Sequence, residues 1–467
     1  NDDTYITLTY AKNLAAGQGF VYNHPPPTLG TTTPLLALLV AGLSILAPGV
    51  EIAALAVFLT ACCWAGIGWV FYHFRRSWGL RAWEVLIIDM VLISTGWIGF
   101  LGMEAYLFAF LLVLTLSTFF AGRYFVAGFL GGILFLTRGE GIIVLGLMGL
   151  IQVTRMSWQR IRGLRRIDMA PSKALSLGGF FPLLLWGIYA WTTFGQILPN
   201  TLAAKQAQGQ MATARPFLQR LVQEWLPMWG QTLSLEGRPY ISAWWLLVGL
   251  GIMIVWFKRG RWLIFLAWII LYIAGYTALQ VSAYWWYQLP VHFVAQLLFA
   301  LGLITVVNWI RSIEAGLFVN AVLIAVVLIP TLGLLAKAEI QAAQNYHGDP
   351  RAASYLRLTE WFRANTSPDA SIAYIEVGYL GYYTPNRIID LAGLVMPEVV
   401  SHVVDDGFAW VFWAYQPDYY VHLPDFDWAV GEITQNPEFD RLYEPIATLA
   451  GPRETAFTIY QRGVANE

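Results

Sequence analysis

The chain is short of charge. Only 12% of its 467 residues are Asp, Glu, Lys or Arg, about half the share, roughly 25%, of a soluble globular protein. The missing polar surface is replaced by 57% hydrophobic residues and a mean hydropathy of +0.55. That balance excludes an ordinary soluble globule and points to a polytopic membrane protein. The net charge is −1, and no basic patch with interleaved aromatics occurs, so nucleic acid is not an expected partner. Cysteine is almost absent. Cys62 and Cys63 are adjacent in an apolar run and read as packing residues, which excludes a disulfide framework. The histidines show no metal-ligand spacing; His73 falls at a helix end and His24 reads as a loop residue. No internal repeat is found, so an inverted-repeat transporter gains no support. No signal-peptide pattern is present either.

What the chain does have is long apolar runs. They fall at 34–47, 51–74, 82–100, 103–121, 124–137, 139–154, 174–194, 241–257, 262–280, 290–309 and 315–336. The first is too short to cross a bilayer comfortably and is bracketed by Pro34 and Pro48-Gly49, so it reads as an interfacial or re-entrant helix. If it stays on one side and the others cross, the basic clusters at 75–81, 155–173 and 258–261, with Arg123 and Arg311, all face the cytoplasm. The expected fold is a polytopic α-helical membrane domain over 1–336 with about ten crossings. Residues 1–50 form its first outer loop and 195–240 its second. In 337–467 charge and proline return, and this segment reads as an exoplasmic soluble α/β domain. Its predicted strands are Ser371–Tyr374, Arg387–Leu391, Tyr419–His422 and Ala456–Tyr460, with an amphipathic helix over Ala352–Ala364.

The opening stretch DDTYITLTYAKNLAAGQGF sets two adjacent carboxylates before an amphipathic run expected to lie along the membrane interface. Asp2 or Asp3 could cap that helix. The alternative to the cap is a general base or a cation ligand facing a cavity. Segments 124–137 and 139–154 are both short, which would leave Thr137-Arg138-Gly139-Glu140 sunk toward the bilayer.

DDTYITLTYAKNLAAGQGFVYN followed by GTTTPLLALL resembles the first outer loop of the GT-C glycosyltransferases, within them the bacterial arabinofuranosyl- and mannosyltransferase-like subgroup. LGMEAYLFAF (101–110) is similar to a Gly-Met-Glu-Thr motif, with Ala105 for Thr. LTRGEG (136–141) resembles Leu-Thr-Arg-Pro-Glu-Gly, with Gly139 for Pro. FGQILPNTLAAK (194–205) and GYLGYYTPNRIIDLAGL (378–394) follow in the same order. Where the subgroup has Arg-Tyr-Leu-x-Pro, this chain has WWYQLPVHF, with Tyr287 and Gln288 and no arginine.

The resemblance implies inverting sugar transfer from a polyprenyl-phosphate donor to a glycan, lipid or protein acceptor at the outer face of a bacterial plasma membrane. It also implies a transmembrane helix before Asn1. Asp2 and Asp3 become the expected catalytic carboxylates, with a divalent cation bound there if any is used. Tyr5, Glu104, Arg138, Glu140, Asn200, Lys205 and Tyr287 become the expected substrate-binding residues, and the acidic pair is expected to share one outer pocket with the Arg138 corner. Arg138 and Lys205 would stabilise the departing phosphate. Other readings stay open. Arg138–Glu140 could be a structural ion pair, Glu104 a helix cap and Lys205 a solvated side chain. Tyr284–Tyr287 could be an interfacial belt. Asp89 is expected to hydrogen-bond between helices and Asp390 to hold a turn. The missing arginine favours a different class, a non-catalytic relative scaffolding a membrane complex.

Overall fold

The computed structural model describes residues 2–463 except 23–26, 95–97, 164–166, 211–213, 235–237, 345–348, 404–406 and 453. His24 lies outside the described residues. Contacts divide the chain into two compact units. One comprises Asn1–Ala56, Trp186–Ala214 and His347–Glu467; the other comprises Val57–Leu185 and Arg215–Tyr346.

The second unit is helical. Among the described residues of the whole chain, 6 helices are long and apolar enough to cross a membrane: Ile52–His73, Gly141–Ile161, Ala170–Phe194, Gly260–Leu279, Trp285–Arg311 and Leu317–Gln344. Four further expected crossings form helices of 13 to 16 residues, at Ala82–Ser94, Ala105–Phe120, Tyr124–Thr137 and Ala243–Phe257. At 1.5 Å per residue these reach roughly 20–24 Å, short of a hydrocarbon core of about 30 Å. Length alone therefore supports fewer spans than the count of apolar runs. Of Trp285–Arg311, 78% of the apolar window is buried, which makes it the core helix of this unit.

That core helix crosses Ala243–Phe257 at backbone distance. A Cβ added to Gly302 would overlap the Leu247 carbonyl, and one added to Gly251 would overlap the Leu298 carbonyl. In lipid, where apolar burial drives helix association weakly, such close small-residue contacts hold helices together. Gly302→Ala is expected to lower stability by about 1–3 kcal/mol through overpacking. Gly249→Ala, with nothing within 4 Å of its added Cβ, should instead leave stability unchanged or raise it by up to about 1 kcal/mol through helix propensity. Thermal unfolding of the two variants in detergent separates these outcomes.

The first unit begins with helix Asp2–Ala15, packed against Pro34–Leu46 and Gly378–Tyr383. Ile6, Thr7, Leu8, Thr9, Tyr10 and Ala11 of this helix are all buried within the protein. Its polar residues are satisfied within the protein. The Thr7 hydroxyl bonds those of Thr31 and Thr33 at 2.9 and 3.2 Å. The Tyr10 hydroxyl donates to the Thr28 carbonyl at 2.6 Å and accepts the Gly30 N–H at 2.8 Å.

The sheet of this unit has strands β1 (Ser371–Tyr374), β2 (Arg387–Asp390), β3 (Tyr419–His422), β4 (Tyr443–Ala450) and β5 (Ala456–Arg462), in the order β2-β1-β3-β5-β4. β1 runs parallel to β2 and β3, while β5 is antiparallel to β3 and β4. Leu391, Val411, Phe412, Tyr420, Ile433 and Phe439 lie in its core. The expected strands form within a few residues, and helix Ala352–Asn365 forms where amphipathicity places it. β4 is the strand sequence reasoning misses. It is an edge strand, mostly solvent-facing, with Pro445 and a register shift between Pro445 and Ala447, so no apolar alternation marks it.

Candidate active site: a carboxylate cluster in each unit

In the first unit, β1 has parallel neighbours on both sides, so its carboxyl end is a topological switch point, where open α/β sheets commonly bind ligands. Just past that end, Glu376 precedes the short helix Gly378–Tyr383, and Asp2 docks there. Asp2 is 3% exposed. Its Oδ2 accepts the Gly378 N–H and its Oδ1 the Tyr379 N–H, both at 2.8 Å. Asp2 and Asp3 lie in the first turn of their own helix, yet the Asp2 side chain caps a different one, 376 residues away. A Cβ at position 378 would overlap the Asp2 carbonyl, so only glycine permits this approach.

Burial, then the nearby Glu376 carboxylate, push Asp2 up to about 8, against the two peptide N–H bonds that pull it down. Burial also raises Glu376, which accepts hydrogen bonds from Arg351 and from the Tyr355 hydroxyl. Arg351 is anchored in turn by Asp349, its Nε and Nη2 each 3.1 Å from a carboxylate oxygen. A carboxyl raised in the folded state stabilises the fold fully below its unfolded value, about 3.9. That contribution is lost as pH rises through the folded value. The thermal unfolding temperature is therefore expected to fall between about pH 4 and pH 8, and Asp2→Asn to flatten that decline. A pH series of unfolding temperatures for the two proteins checks it; parallel curves would refute the assignment.

Asp3 is placed differently. Its side chain is 32% exposed, and its Oδ2 lies 3.7 Å from the Lys205 ammonium. Lys205 belongs to helix Asn200–Gly209, which is tied to the sheet unit through Asn200. The Asn200 amide donates to the Gly393 carbonyl at 2.6 Å, and its backbone N–H donates to the Leu29 carbonyl at 2.8 Å. Asn200 is thus held by protein backbone and positions Lys205 beside Asp3. Tyr5 packs at tilted angles among Tyr379, Tyr382 and Tyr383, with ring centroids 4.4, 5.1 and 5.5 Å away, an aromatic wall next to the acidic pair. Asp390 holds a turn, as expected, accepting the Ala392 and Val395 N–H groups at 2.9 and 2.7 Å. Peptide N–H groups occupy the Asp2 carboxylate and a lysine faces that of Asp3. Among the described residues no three His, Cys, Asp or Glu side chains gather to hold a metal.

The second unit carries Glu104, Arg138, Glu140 and Tyr287. Arg138 Nη1 donates to Glu104 Oε1 at 2.8 Å and Nη2 to Glu140 Oε1 at 2.9 Å, with side-chain exposures of only 6% for the arginine and 12% for each glutamate. Tyr276 donates to Glu140 as well. The Tyr287 ring lies 4.8 Å from that of Tyr276 and 6.0 Å from the guanidinium. Glu104 stands at the N-cap of Ala105–Phe120 but makes no side-chain cap bond; its carboxylate goes to Arg138. Two carboxylates around one guanidinium leave the group net negative, a setting better suited to sugar hydroxyls than to a second anion on Arg138. Below it an apolar cavity opens, lined by Trp64, Tyr106, Phe108, Trp268 and Phe293, with Arg138, His292 and Gln296 as its polar groups. Asp89 faces Gly68, and the expected interhelical hydrogen bond is not formed among the described residues.

Glu376, Arg351, Tyr355 and Tyr276 are site neighbours that sequence reasoning misses. Glu376 had a readable signal, a carboxylate directly after the apolar strand SIAYI and before Gly378. Tyr276 had none, since an aromatic inside an apolar helix looks like packing.

A family model described as a domain of unknown function (DUF8728) matches residues 338–460. No curated protein matches the chain. Among solved structures, the archaeal oligosaccharyltransferase AglB from Archaeoglobus fulgidus, in complex with an inhibitory peptide and a dolichol-phosphate, aligns over 100% of this chain and 71% of its own, at 13% identity and a TM-score of 0.58. The apo form of the Archaeoglobus fulgidus oligosaccharyltransferase aligns over 95% and 69%, at 15% identity and a TM-score of 0.58. Its complex with Zn and sulfate aligns over 98% and 69%, at 14% identity and a TM-score of 0.53. The chain shares the fold of the archaeal oligosaccharyltransferase.

AglB is a member of the GT-C superfamily that the sequence motifs resemble. Identities this low establish architecture and no more, because unrelated sites are grafted on shared folds. For this chain the case for chemistry rests on the two carboxylate clusters.

Proposed function

We propose that the chain is an inverting glycosyltransferase of the bacterial plasma membrane. It takes a sugar from a polyprenyl-phosphate donor and passes it to a glycan, lipid or protein acceptor on the outer face, as in the arabinofuranosyl- and mannosyltransferase-like subgroup. The observation that carries this reading is Asp3, a partly exposed carboxylate held beside Lys205 on the opening helix of a GT-C fold. The AglB complex with a dolichol-phosphate and a peptide supports a lipid-linked donor and a protein as one class of acceptor.

In the proposed reaction Asp3 accepts the proton of the acceptor hydroxyl as its oxygen bonds to the anomeric carbon. The bond from that carbon to the phosphate oxygen breaks on the opposite face, and polyprenyl phosphate leaves as an anion. Lys205 offers the counter-charge on this unit. Asp2 fixes the helix that presents Asp3, and the tyrosines around Tyr5 give a sugar face something to stack on. In the helical unit, Glu104 and Glu140 with the Tyr276 and Tyr287 phenols form a polar head suited to sugar hydroxyls. The cavity beneath suits the first isoprene units of the carrier.

A second reading, a non-catalytic GT-C subunit that scaffolds a complex, is favoured by Arg138 being fully engaged by Glu104 and Glu140. An assay of donor consumption separates the two. Purified protein in lipid nanodiscs is incubated with a panel of synthetic polyprenyl-phosphate sugars and cell-envelope acceptors, and free polyprenyl phosphate is followed by mass spectrometry. Release dependent on an acceptor is expected; none with any donor would leave the scaffold.

A further inference from the structure

The helical unit carries a second site whose chemistry differs from the carboxylate clusters. The turns at 74–81 and 258–262 are fastened together. Trp262 Nε1 donates to the Trp78 carbonyl at 3.2 Å, and Arg261 donates to the Ser77 carbonyl. Between these turns and the C-terminal end of Leu289–Arg311 lies an open pocket lined by Arg76, Lys258, Arg259, Arg261, Asn308 and Trp309, among others, with no carboxylate among its described lining residues. One of its four cations is neutralised: Arg259 Nη2 donates to the buried Glu84 Oε1 at 2.7 Å. The Nη1 of the same guanidinium is buried with no hydrogen-bond partner among the described residues. Buried donors are rarely left unpaired, and this one belongs to a residue that lines the pocket.

Positive-inside sorting accounts for basic residues at this end of the unit. It does not account for their convergence on one cavity or for the orphaned donor. Apolar aromatic surface is exposed on the same helix ends, with Trp256 at 67%, Phe257 at 75% and Trp309 at 67%. Side chains of this kind mark the headgroup level of a bilayer. An anion seated among Arg76, Lys258 and Arg259 would have its apolar remainder against that aromatic surface. A basic pocket between transmembrane helix ends is the arrangement that takes acidic lipid headgroups.

We infer that this pocket, formed by Arg76, Lys258, Arg259 and Arg261, binds the phosphodiester headgroup of an anionic membrane phospholipid. It is independent of the sugar-transfer site. The test measures lipid retained by the purified protein, with native mass spectrometry after transfer from mixed phosphatidylcholine and phosphatidylglycerol nanodiscs. Wild type should retain phosphatidylglycerol. Arg76→Gln/Lys258→Gln, both at exposed positions, should bind it about 30-fold more weakly, at about 1 kcal/mol per basic residue. Arg76→Lys/Lys258→Arg should restore binding, which excludes misfolding as the cause. Arg155→Gln, an exposed arginine outside the pocket, should change nothing. Equal retention by the Gln/Gln variant, or an equal loss with Arg155→Gln, would overturn the site. Complete displacement of the lipid by millimolar inorganic phosphate would assign the pocket to a free anion and overturn the lipid assignment.

Discussion

Arg138→Met should destabilise the protein by about 3–5 kcal/mol, the cost of removing one partner from a buried ion cluster. The reason lies in what remains. Arg138 is enclosed with Glu104 and Glu140, at side-chain exposures of 6% and 12%. Its guanidinium bonds both carboxylates, and its Nη2 also lies 3.4 Å from the Tyr276 hydroxyl. Methionine fills the volume but leaves two carboxylates facing each other without a cation. Both must then be hydrated or protonated, and each option costs free energy in a buried setting. The triple variant Arg138→Met/Glu104→Gln/Glu140→Gln should recover most of the loss, because amides can bond Tyr276 and each other without a buried charge. Unfolding followed by tryptophan fluorescence in detergent measures all three proteins. If the single variant is as stable as wild type, the cluster does not hold its helices together; if the triple variant is no better than the single one, the loss is not electrostatic.

Asp3→Asn should do the reverse, sparing the fold and removing the chemistry. The Asp3–Lys205 contact is partly exposed, at 3.7 Å, and such pairs contribute about 0–1 kcal/mol to stability. Loss of a positioned general base typically costs about 10²–10⁴-fold in rate. Transfer should fall by that factor, with an unfolding temperature near that of wild type. Asp2→Asn is the internal contrast. It leaves Asp3 in place but exchanges one acceptor oxygen for an amide nitrogen facing the Gly378 and Tyr379 N–H groups, so its effect should fall on stability more than on transfer. A similar rate loss with a similar stability loss in both variants would mean that the two acids act as one structural unit.

The sequence made the helical architecture legible because apolar runs of 14 to 24 residues are hard to mistake. Among the described residues, 6 of the ten expected crossings form helices long and apolar enough to span alone. Four strands were readable from short β-branched and aromatic runs between turns. β4 was not, because an exposed edge strand with a proline carries no burial pattern. Asp2 and Asp3 were visible as an unusual pair, but their division of labour was not. Which of two adjacent acids turns toward Gly378 and which toward Lys205 depends on contacts hundreds of residues apart in the chain. Asn200 looked like a ligand-binding residue within a motif, yet its amide holds the backbone at Gly393. The basic pocket was readable only as scattered cytoplasmic arginines, and becomes a site only when two turns are fastened together.

The stereochemistry of one round of transfer tests the central claim most directly. A polyprenyl-phosphate sugar of defined anomeric configuration is turned over by the wild-type protein in nanodiscs, and the product linkage is read by NMR. A single displacement with Asp3 as the base predicts a product of inverted configuration and no covalent sugar–protein species. Retention of configuration, or a glycosylated protein trapped during turnover, would contradict it.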